Sequence, residues 1–245
     1  MPSHILKIND LKKYFGGIKA VDGVSFSIDA GEVVGLVGPN GSGKTTVTNL
    51  LSGLLLFTEG SITIRGVHLR KVLPWEIANH EISRTFQEVR LFPQMTVIDN
   101  LLVVLSGRKP FANIFSTSDR RHKDKAENLL TKFNLIGKKD DLAATLSYGQ
   151  RKLLEIARVL AMDPDIVLLD EPYAGLFPKM VEMVNDTVKL LKAEGKSVLL
   201  IEHNMEVIQA LCDRVVVMDA GKVLAEGVPN EVLRKKEVIE AYLGA

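Results

Sequence analysis

A short apolar run, Val33-Val34-Gly35-Leu36-Val37, leads directly into Gly38-Pro39-Asn40-Gly41-Ser42-Gly43-Lys44-Thr45-Thr46. A glycine, four residues, then Gly-Lys-Thr is the pattern of a loop that wraps backbone N–H groups around phosphate. The glycines let successive amides turn toward one anion without side-chain clash, and a following helix adds its positive end. Val47, Leu50, Leu51 and Leu54 fall on one side of that helix. Strand, loop and helix in this order demand a buried sheet with helices packed on it. Lys44 is placed to reach the outer phosphates, Thr45 to ligate magnesium through its hydroxyl, and Thr46 to donate a further phosphate hydrogen bond.

The pattern of buried strand followed by helix recurs. Ile166 to Leu169 reads as a buried strand, roughly Pro178 to Lys192 as a helix, Ser197 to Ile201 as a strand, and a helix begins near Asn204, its cap. Val215 to Met218 makes another strand, with a turn at Gly221. The repetition predicts an α/β fold with a mostly parallel sheet. The first thirty residues read instead as short strands, Ile5 to Ile8 and Val21 to Ile28, punctuated by Gly16-Gly17 and Asp22-Gly23. Ser61 to Ile64 reads as an edge strand, and Pro74-Trp75-Glu76 as the start of a short helix. From about Val89 to Ala161 the pattern is mostly helical. Asp119 to Phe133 and Gln150 to Met162 carry apolar residues at helical spacing. Ahead of Asp119, 106–118 is a turn-rich insert carrying Phe111 and Phe115, either a partner surface or a self-packed loop. A short amphipathic helix and a tail close the chain.

A second chemical feature is Val167-Leu168-Leu169-Asp170-Glu171-Pro172. An apolar strand ending in two carboxylates puts charge at the carboxyl edge of a parallel sheet, where ligands bind. With the phosphate loop present, Asp170 is placed to support magnesium through water, and Glu171 to orient or deprotonate an attacking water. His203 follows the next buried strand on the same edge, placed to sense the terminal phosphate. Spacing alone leaves open whether water or another hydroxyl is attacked.

Bulk composition narrows the classes. At 245 residues, 31 basic against 30 acidic side chains leave a formal charge of +1, which gives no electrostatic case for direct nucleic-acid binding. Cys212, the single cysteine, excludes an intrachain disulfide or a multi-cysteine metal site and points to a reducing compartment. No apolar run approaches the roughly 18 residues that cross a bilayer, and the first residues lack a signal segment. A membrane role is therefore expected to come through a partner.

At Leu146-Ser147-Tyr148-Gly149-Gln150, followed by Arg151-Lys152, the sequence resembles the signature segment of the ATP-binding cassette (ABC) ATPases, with Tyr148 where glycine is commoner. The remaining motifs agree in order. Phe15, before Gly16, resembles the adenine-stacking aromatic, with Tyr14 as the alternative. Gln87, within Thr85-Phe86-Gln87, resembles the glutamine linking magnesium and water to the partner subunit. Asp170 and Glu171 resemble the metal-supporting aspartate and the catalytic glutamate, and His203 the switch histidine. Ala174-Gly175-Leu176 resembles the loop that crosses between paired cassettes.

The resemblance implies a P-loop NTPase with a mostly parallel RecA-like core, an N-terminal antiparallel β lobe and an inserted helical lobe. It makes the whole chain, 1–245, a single ABC ATPase domain. The core and β lobe would occupy 1–88 and 162–226, the helical lobe with the signature 89–161, and a C-terminal helical tail 227–245. It further implies ATP and Mg2+, and a dimer in which one cassette's phosphate loop (Gly38, Asn40, Gly41, Ser42, Gly43, Lys44, Thr45, Thr46) faces Ser147, Gly149 and Gln150 of the other. Lys44, Gln87, Glu171 and His203 would be its catalytic groups, and Thr45, Gln87 and Asp170 its metal-associated ones. Tyr14-Phe15-Gly16-Gly17, Ser83-Arg84-Thr85-Phe86-Gln87 and Ile201-Glu202-His203-Asn204-Met205 are most similar to ATPase subunits of branched-chain amino-acid importers. Urea or amide importers and lipopolysaccharide-export ATPases share much of this language.

Such a subunit is expected at the cytoplasmic face of the membrane. It would be held there by integral permease subunits, with an extracytoplasmic solute-binding protein on the other side. The segment Gln87 to Met95 is the expected coupling surface, with ordinary lobe packing as its alternative. A soluble cassette ATPase remodelling nucleic acid, ribosomes or a protein complex would keep the same ATP site. The short span between Gln87 and Ser147 leaves no room for the long coiled-coil insertion of the DNA-repair type.

Overall fold

The computed structural model describes residues 4–106 and 117–243, with backbone only at 117–119. Residues 107–116 of the insert, Phe111 and Phe115 among them, lie outside the described residues. Ten strands are described: β1 (His4–Phe15), β2 (Ile18–Asp29), β3 (Val33–Val37), β4 (Glu59–Ile64), β5 (Val67–Leu69), β6 (Ile82–Arg84), β7 (Ile166–Asp170), β8 (Ser197–Ile201), β9 (Arg214–Asp219) and β10 (Lys222–Gly227). The helices are α1 (Lys44–Leu51), α2 (Val97–Leu105), α3 (Thr117–Lys132), α4 (Tyr148–Ala161), α5 (Pro178–Ala193), α6 (Met205–Leu211), α7 (Pro229–Val232) and α8 (Lys236–Leu243). The chain forms two compact units. One comprises 1–84, 165–171 and 185–245; the other comprises 85–164 and 172–184.

The first unit holds two sheets. A six-stranded sheet runs β10-β9-β3-β8-β7-β6, parallel throughout except for the antiparallel β10–β9 pair. Every residue of β3, β7 and β8 is buried. Their unbroken apolar runs follow from a sheet covered on both faces. The second sheet is antiparallel, in the order β2-β1-β4-β5. Leu6, Ile8, Phe26 and Ile62 from this sheet share one core with Val34, Leu36, Leu168 and Leu199 of the other. Each such side chain, fully buried, contributes about 1.5–3 kcal/mol.

Three sequence expectations change in this sheet. β1 and β2 are twelve-residue strands joined at Gly16-Gly17, longer than the segments read from the sequence. Asp22-Gly23 lies inside β2 and is not a turn; it sits by the register shift between Ile8 and Leu11, where Asp10 has φ +45°. β4 is an interior strand, because the three-residue β5 turns back at Arg65-Gly66 and takes the edge. The segment at Pro74-Trp75-Glu76 is a turn leading into a 3₁₀ helix over Ile77–His80. Two short helices, α7 and α8, close the described chain.

The second unit is helical. Val97 and Leu101 of α2, Ala126 and Leu130 of α3, and Leu153, Ile156 and Ala157 of α4 meet in its core, together with Phe133 and Val184. Thr96 caps α2 by accepting from the Asp99 amide.

Candidate functional site

β3 delivers the glycine loop to the amino end of α1. Gly38 has φ +151° and Gly43 φ +104°, conformations that L side chains rarely adopt. A Cβ at Gly38 would overlap the Met218 carbonyl oxygen, and one at Gly43 that of Ala20. Side chains are therefore excluded where the loop lies on neighbouring backbone. The first turn of α1 carries no acidic residue and Gly43 provides no side-chain cap, so its amides and the positive helix end suit an external anion. Asn40, Gly41 and Thr45 are exposed and Thr46 half-buried, whereas Ser42 is buried.

The Lys44 side chain folds back along the loop. Its ammonium donates to the Gly38 carbonyl at 2.7 Å, the Pro39 carbonyl at 2.9 Å and Ser42 Oγ at 3.4 Å. Burial pushes the Lys44 pKa below its ordinary value, while the Glu171 and Asp170 carboxylates oppose that shift.

β7 supplies those carboxylates. Asp170 is 1% exposed and accepts from Arg84 Nη2 at 2.6 Å. Arg84 also donates through Nη1 to Asn49 Oδ1 at 2.7 Å and Ser52 Oγ at 2.8 Å, tying β6 and β7 to α1 and the turn after it. Glu171 follows with φ +47°, a left-handed conformation uncommon for a non-glycine residue. Its amide donates to the Ile201 carbonyl at 3.0 Å. Its Oε1 lies 2.9 Å from His203 Nε2. His203 is exposed just past β8, between Glu202, whose carboxylate accepts the His203 amide, and Asn204. Asn204 Oδ1 accepts from the Glu206 and Val207 amides and fixes the start of α6. Because β3, β8 and β7 are adjacent, the glycine loop, His203 and the two carboxylates share one sheet edge.

In the same unit Phe15 is 45% exposed, and the Lys13 ammonium stands 5.0 Å from its ring centre. Tyr14 donates its hydroxyl to Asp22 at 2.7 Å. Of the two aromatic candidates, Phe15 is exposed and Tyr14 half-buried. Thr45 brings a hydroxyl and Asp170 a carboxylate to this unit, both oxygen donors. That chemistry fits a hard divalent cation that keeps much of its water.

In the helical unit Ser147 is the exposed N-cap of α4. Its Oγ accepts from the Gln150 amide at 3.3 Å, and Gln150 Oε1 accepts from the Ser147 amide at 3.0 Å. This capping box gives Gln150 a structural task. Gly149 is buried, and a Cβ there would stand 2.7 Å from Met180 Sδ; the glycine permits close packing behind the helix start. Tyr148 is 44% exposed, and its ring covers Gly175. Gln87 is exposed in a bend between Phe86 and Arg90. Within 87–95, Phe92 is 39% exposed with the Arg158 guanidinium 5.2 Å from its ring centre, while Val89, Leu91 and Met95 are half-buried.

Sequence reasoning singled out Lys44, Asp170, Glu171, His203 and Ser147 but gave no role to Arg84 or Glu155. Glu155 is 4% exposed, on α4, and its carboxylate accepts backbone amides from both sides of Gln87. The available signal was a lone acid inside the apolar run Leu153-Leu154-Glu155-Ile156-Ala157, since a buried charge needs partners.

A glycine loop between a buried strand and a helix, sharing its sheet edge with a strand-end carboxylate pair, defines a P-loop NTPase. Residues 21–174 match the family profile described as ABC transporter. Among curated proteins, the chain is 40% identical over 253 residues to the high-affinity branched-chain amino acid transport ATP-binding protein LivG of Salmonella typhimurium. That match covers 100% of this chain and 99% of LivG. The chain belongs to the ABC transporter family, as its ATP-hydrolysing subunit type. The ADP conformation of an ATP-binding cassette of an ABC transporter superposes with a TM-score of 0.85 at 35% identity, covering 99% of both chains. A dimeric post-hydrolysis cassette bound to ADP and Pi superposes with a TM-score of 0.82 at 28% identity, covering 91% of this chain and 98% of the other. These likenesses bear out the architecture expected from the sequence: a RecA-like core, an N-terminal antiparallel lobe and a helical subdomain.

Proposed function

We propose that this chain powers uptake of branched-chain or related amino acids by hydrolysing ATP at the cytoplasmic face of a membrane. The observation that carries the hydrolytic reading is Glu171 at 2.9 Å from His203, on the sheet edge that also presents the glycine loop. The solute class rests on the full-length likeness to LivG. Among the described residues no helix is long and apolar enough to cross a membrane. The proposed attachment is through integral permease subunits, contacted around Gln87 to Met95, with an extracytoplasmic binding protein supplying the solute.

In this reading the loop amides from Gly38 to Thr46 and the Lys44 ammonium bind the β- and γ-phosphates, while Phe15 stacks on the adenine. Magnesium, when bound, would neutralise phosphate charge; Thr45, Asp170 and Gln87 would hold it, Gln87 linking it and the attacking water to the partner subunit. Glu171 accepts a proton from the attacking water as the water oxygen bonds to the γ-phosphorus and the bond to ADP breaks. His203 holds the Glu171 carboxylate and contacts the γ-phosphate. The site is completed by a second ABC ATPase subunit, whose Ser147 hydroxyl and free α4 amides, Gly149 among them, face the γ-phosphate. The working division assigns 1–88 and 162–226 to nucleotide binding, 89–161 to the helical lobe, and 227–245 to a tail.

The test is Glu171→Gln. MgATP binding stays within a few-fold of wild type, while single-turnover hydrolysis falls by about 100-fold or more, the scale of general-base catalysis, and the variant forms a dimer in MgATP. Hydrolysis at the wild-type rate overturns the role of Glu171.

A further inference from the structure

Glu155 has a position that neither the phosphate loop nor the signature segment explains. It lies on α4, two turns after the Ser147 cap, among Leu153, Leu154, Ile156 and Ala157 of the helical core. Its side chain is 4% exposed. Oε1 accepts the Phe86 amide at 3.3 Å and the Arg90 amide at 3.1 Å. Those amides bracket Gln87, so one buried oxygen pins both ends of the bend that presents Gln87 to solvent. Arg158, one turn further along α4, donates to the Arg90 carbonyl and lies against the Phe92 ring. The Arg90 guanidinium in turn stands 4.1 Å from the Phe86 ring centre. The bend is thus held from below by a carboxylate and an arginine, both on the helix that begins at Ser147.

Placing a carboxylate there is costly. Burial pushes the Glu155 pKa up; the two amides, Lys152 and Arg158 oppose that shift. A leucine at this place would complete the apolar face of α4 but would leave two backbone donors without their acceptor. Glu155 therefore serves the bend rather than the core.

We propose that Glu155 is a positioning residue for ATP hydrolysis, which fixes the Gln87 bend to the signature helix so that the two move as one piece. Displacement of the 87–95 surface by a membrane partner is thereby passed to the Ser147 end of α4. The inference rests on the functional reading of Gln87 and Ser147 given above. It is distinct from that reading because the pinning itself is observable in the isolated protein.

The test compares Glu155→Gln and Glu155→Ala in the full chain, by amide hydrogen exchange and by MgATP hydrolysis. In wild type the Phe86 and Arg90 amides are protected. In Glu155→Ala both exchange about tenfold faster or more, since a hydrogen bond to a buried charged acceptor is lost. kcat falls about tenfold while KM for MgATP stays within about twofold, by the logic of an interaction used only in the transition state, and the melting temperature of the nucleotide-free protein falls by a few degrees because two backbone donors lose their acceptor. Glu155→Gln keeps a carbonyl acceptor and restores most of the protection and of kcat. Wild-type amides that exchange at the unprotected rate overturn the proposal without any variant. So does a folded Glu155→Ala protein with wild-type kcat, or a Glu155→Gln protein as impaired as the alanine variant. Absence of MgATP hydrolysis in wild type, with the amides protected, overturns the hydrolytic reading instead.

Discussion

Arg84→Met removes the cation that faces Asp170 while keeping an unbranched apolar stem of similar length. The two side chains are 6% and 1% exposed and 2.6 Å apart, and Arg84 also serves Asn49 and Ser52. Truncating one member of a buried ion pair leaves the other charge in a poor solvent, at a cost of about 3–5 kcal/mol. That is a large share of the roughly 5–15 kcal/mol by which a folded domain exceeds its unfolded chain. For a chain of this size it lowers the melting temperature by about 6–20 °C. Urea unfolding without nucleotide measures the cost directly. The diagnostic step is the double variant with Asp170→Asn, which removes the stranded charge. The combined cost is expected to fall short of the sum of the single costs by at least about 1 kcal/mol, as for groups in direct contact. An Arg84→Met protein within about 1 kcal/mol of wild type, or single costs that simply add, would refute the reasoning.

Gly38→Ala forces a methyl into the Met218 carbonyl at φ +151°. It should cost about 2–4 kcal/mol in denaturant unfolding and abolish ATP binding measured by calorimetry; wild-type affinity would show that the loop has room to spare. Gly175→Ala places a Cβ 2.9 Å from the Tyr148 ring at φ +72°. It should cost more in wild type than in a Tyr148→Gly background, where only about 1–2 kcal/mol of backbone strain remains. Equal costs in both backgrounds would mean that the ring moves aside freely. The Tyr14 hydroxyl, ahead of Lys19 and Lys222, holds the Asp22 carboxyl below its ordinary value of 3.8. With the folded value depressed, this stabilisation is present above about pH 4 and is lost as pH falls through the folded value. Tyr14→Phe should therefore be less stable at neutral pH and lose less stability on acidification, read from urea midpoints at several pH values.

The parts of the fold written in local pattern were readable in advance. β3, β7 and β8 are short, fully buried and bounded by loops, so their apolar runs stand out. The Asn204 cap and the helix start after Ser147 follow from residue type at a boundary. The antiparallel sheet was harder, because its regular alternation is broken. β1 keeps Leu6 and Ile8 on one face, shifts register at Asp10, and resumes burial at Leu11. A period-two pattern with an odd insertion ceases to look like one strand, and Asp22-Gly23 opposite the insertion then imitates a turn. β5 is too short to show a period at all, so β4 read as the edge.

For the site, the boundary of legibility has a physical origin. Groups proposed to touch phosphate must emerge from one loop or one strand end, so their spacing in sequence is fixed and a motif records it. Groups that hold those residues in place are constrained only in space. Arg84 reaches Asp170, Glu155 reaches Phe86 and Arg90, and Tyr148 covers Gly175, each across a stretch of chain with no fixed spacing. What such residues do carry is a local mismatch. Glu155 interrupts an apolar helix face, and Arg84 ends a short strand whose preceding residues are buried. Neither charge is stable there without partners. A mismatch of that kind beside a recognised motif therefore predicts a supporting contact, although it leaves the partner unnamed. In this chain Arg84 supports the carboxylate strand within the first unit, and Glu155 supports the Gln87 bend within the second.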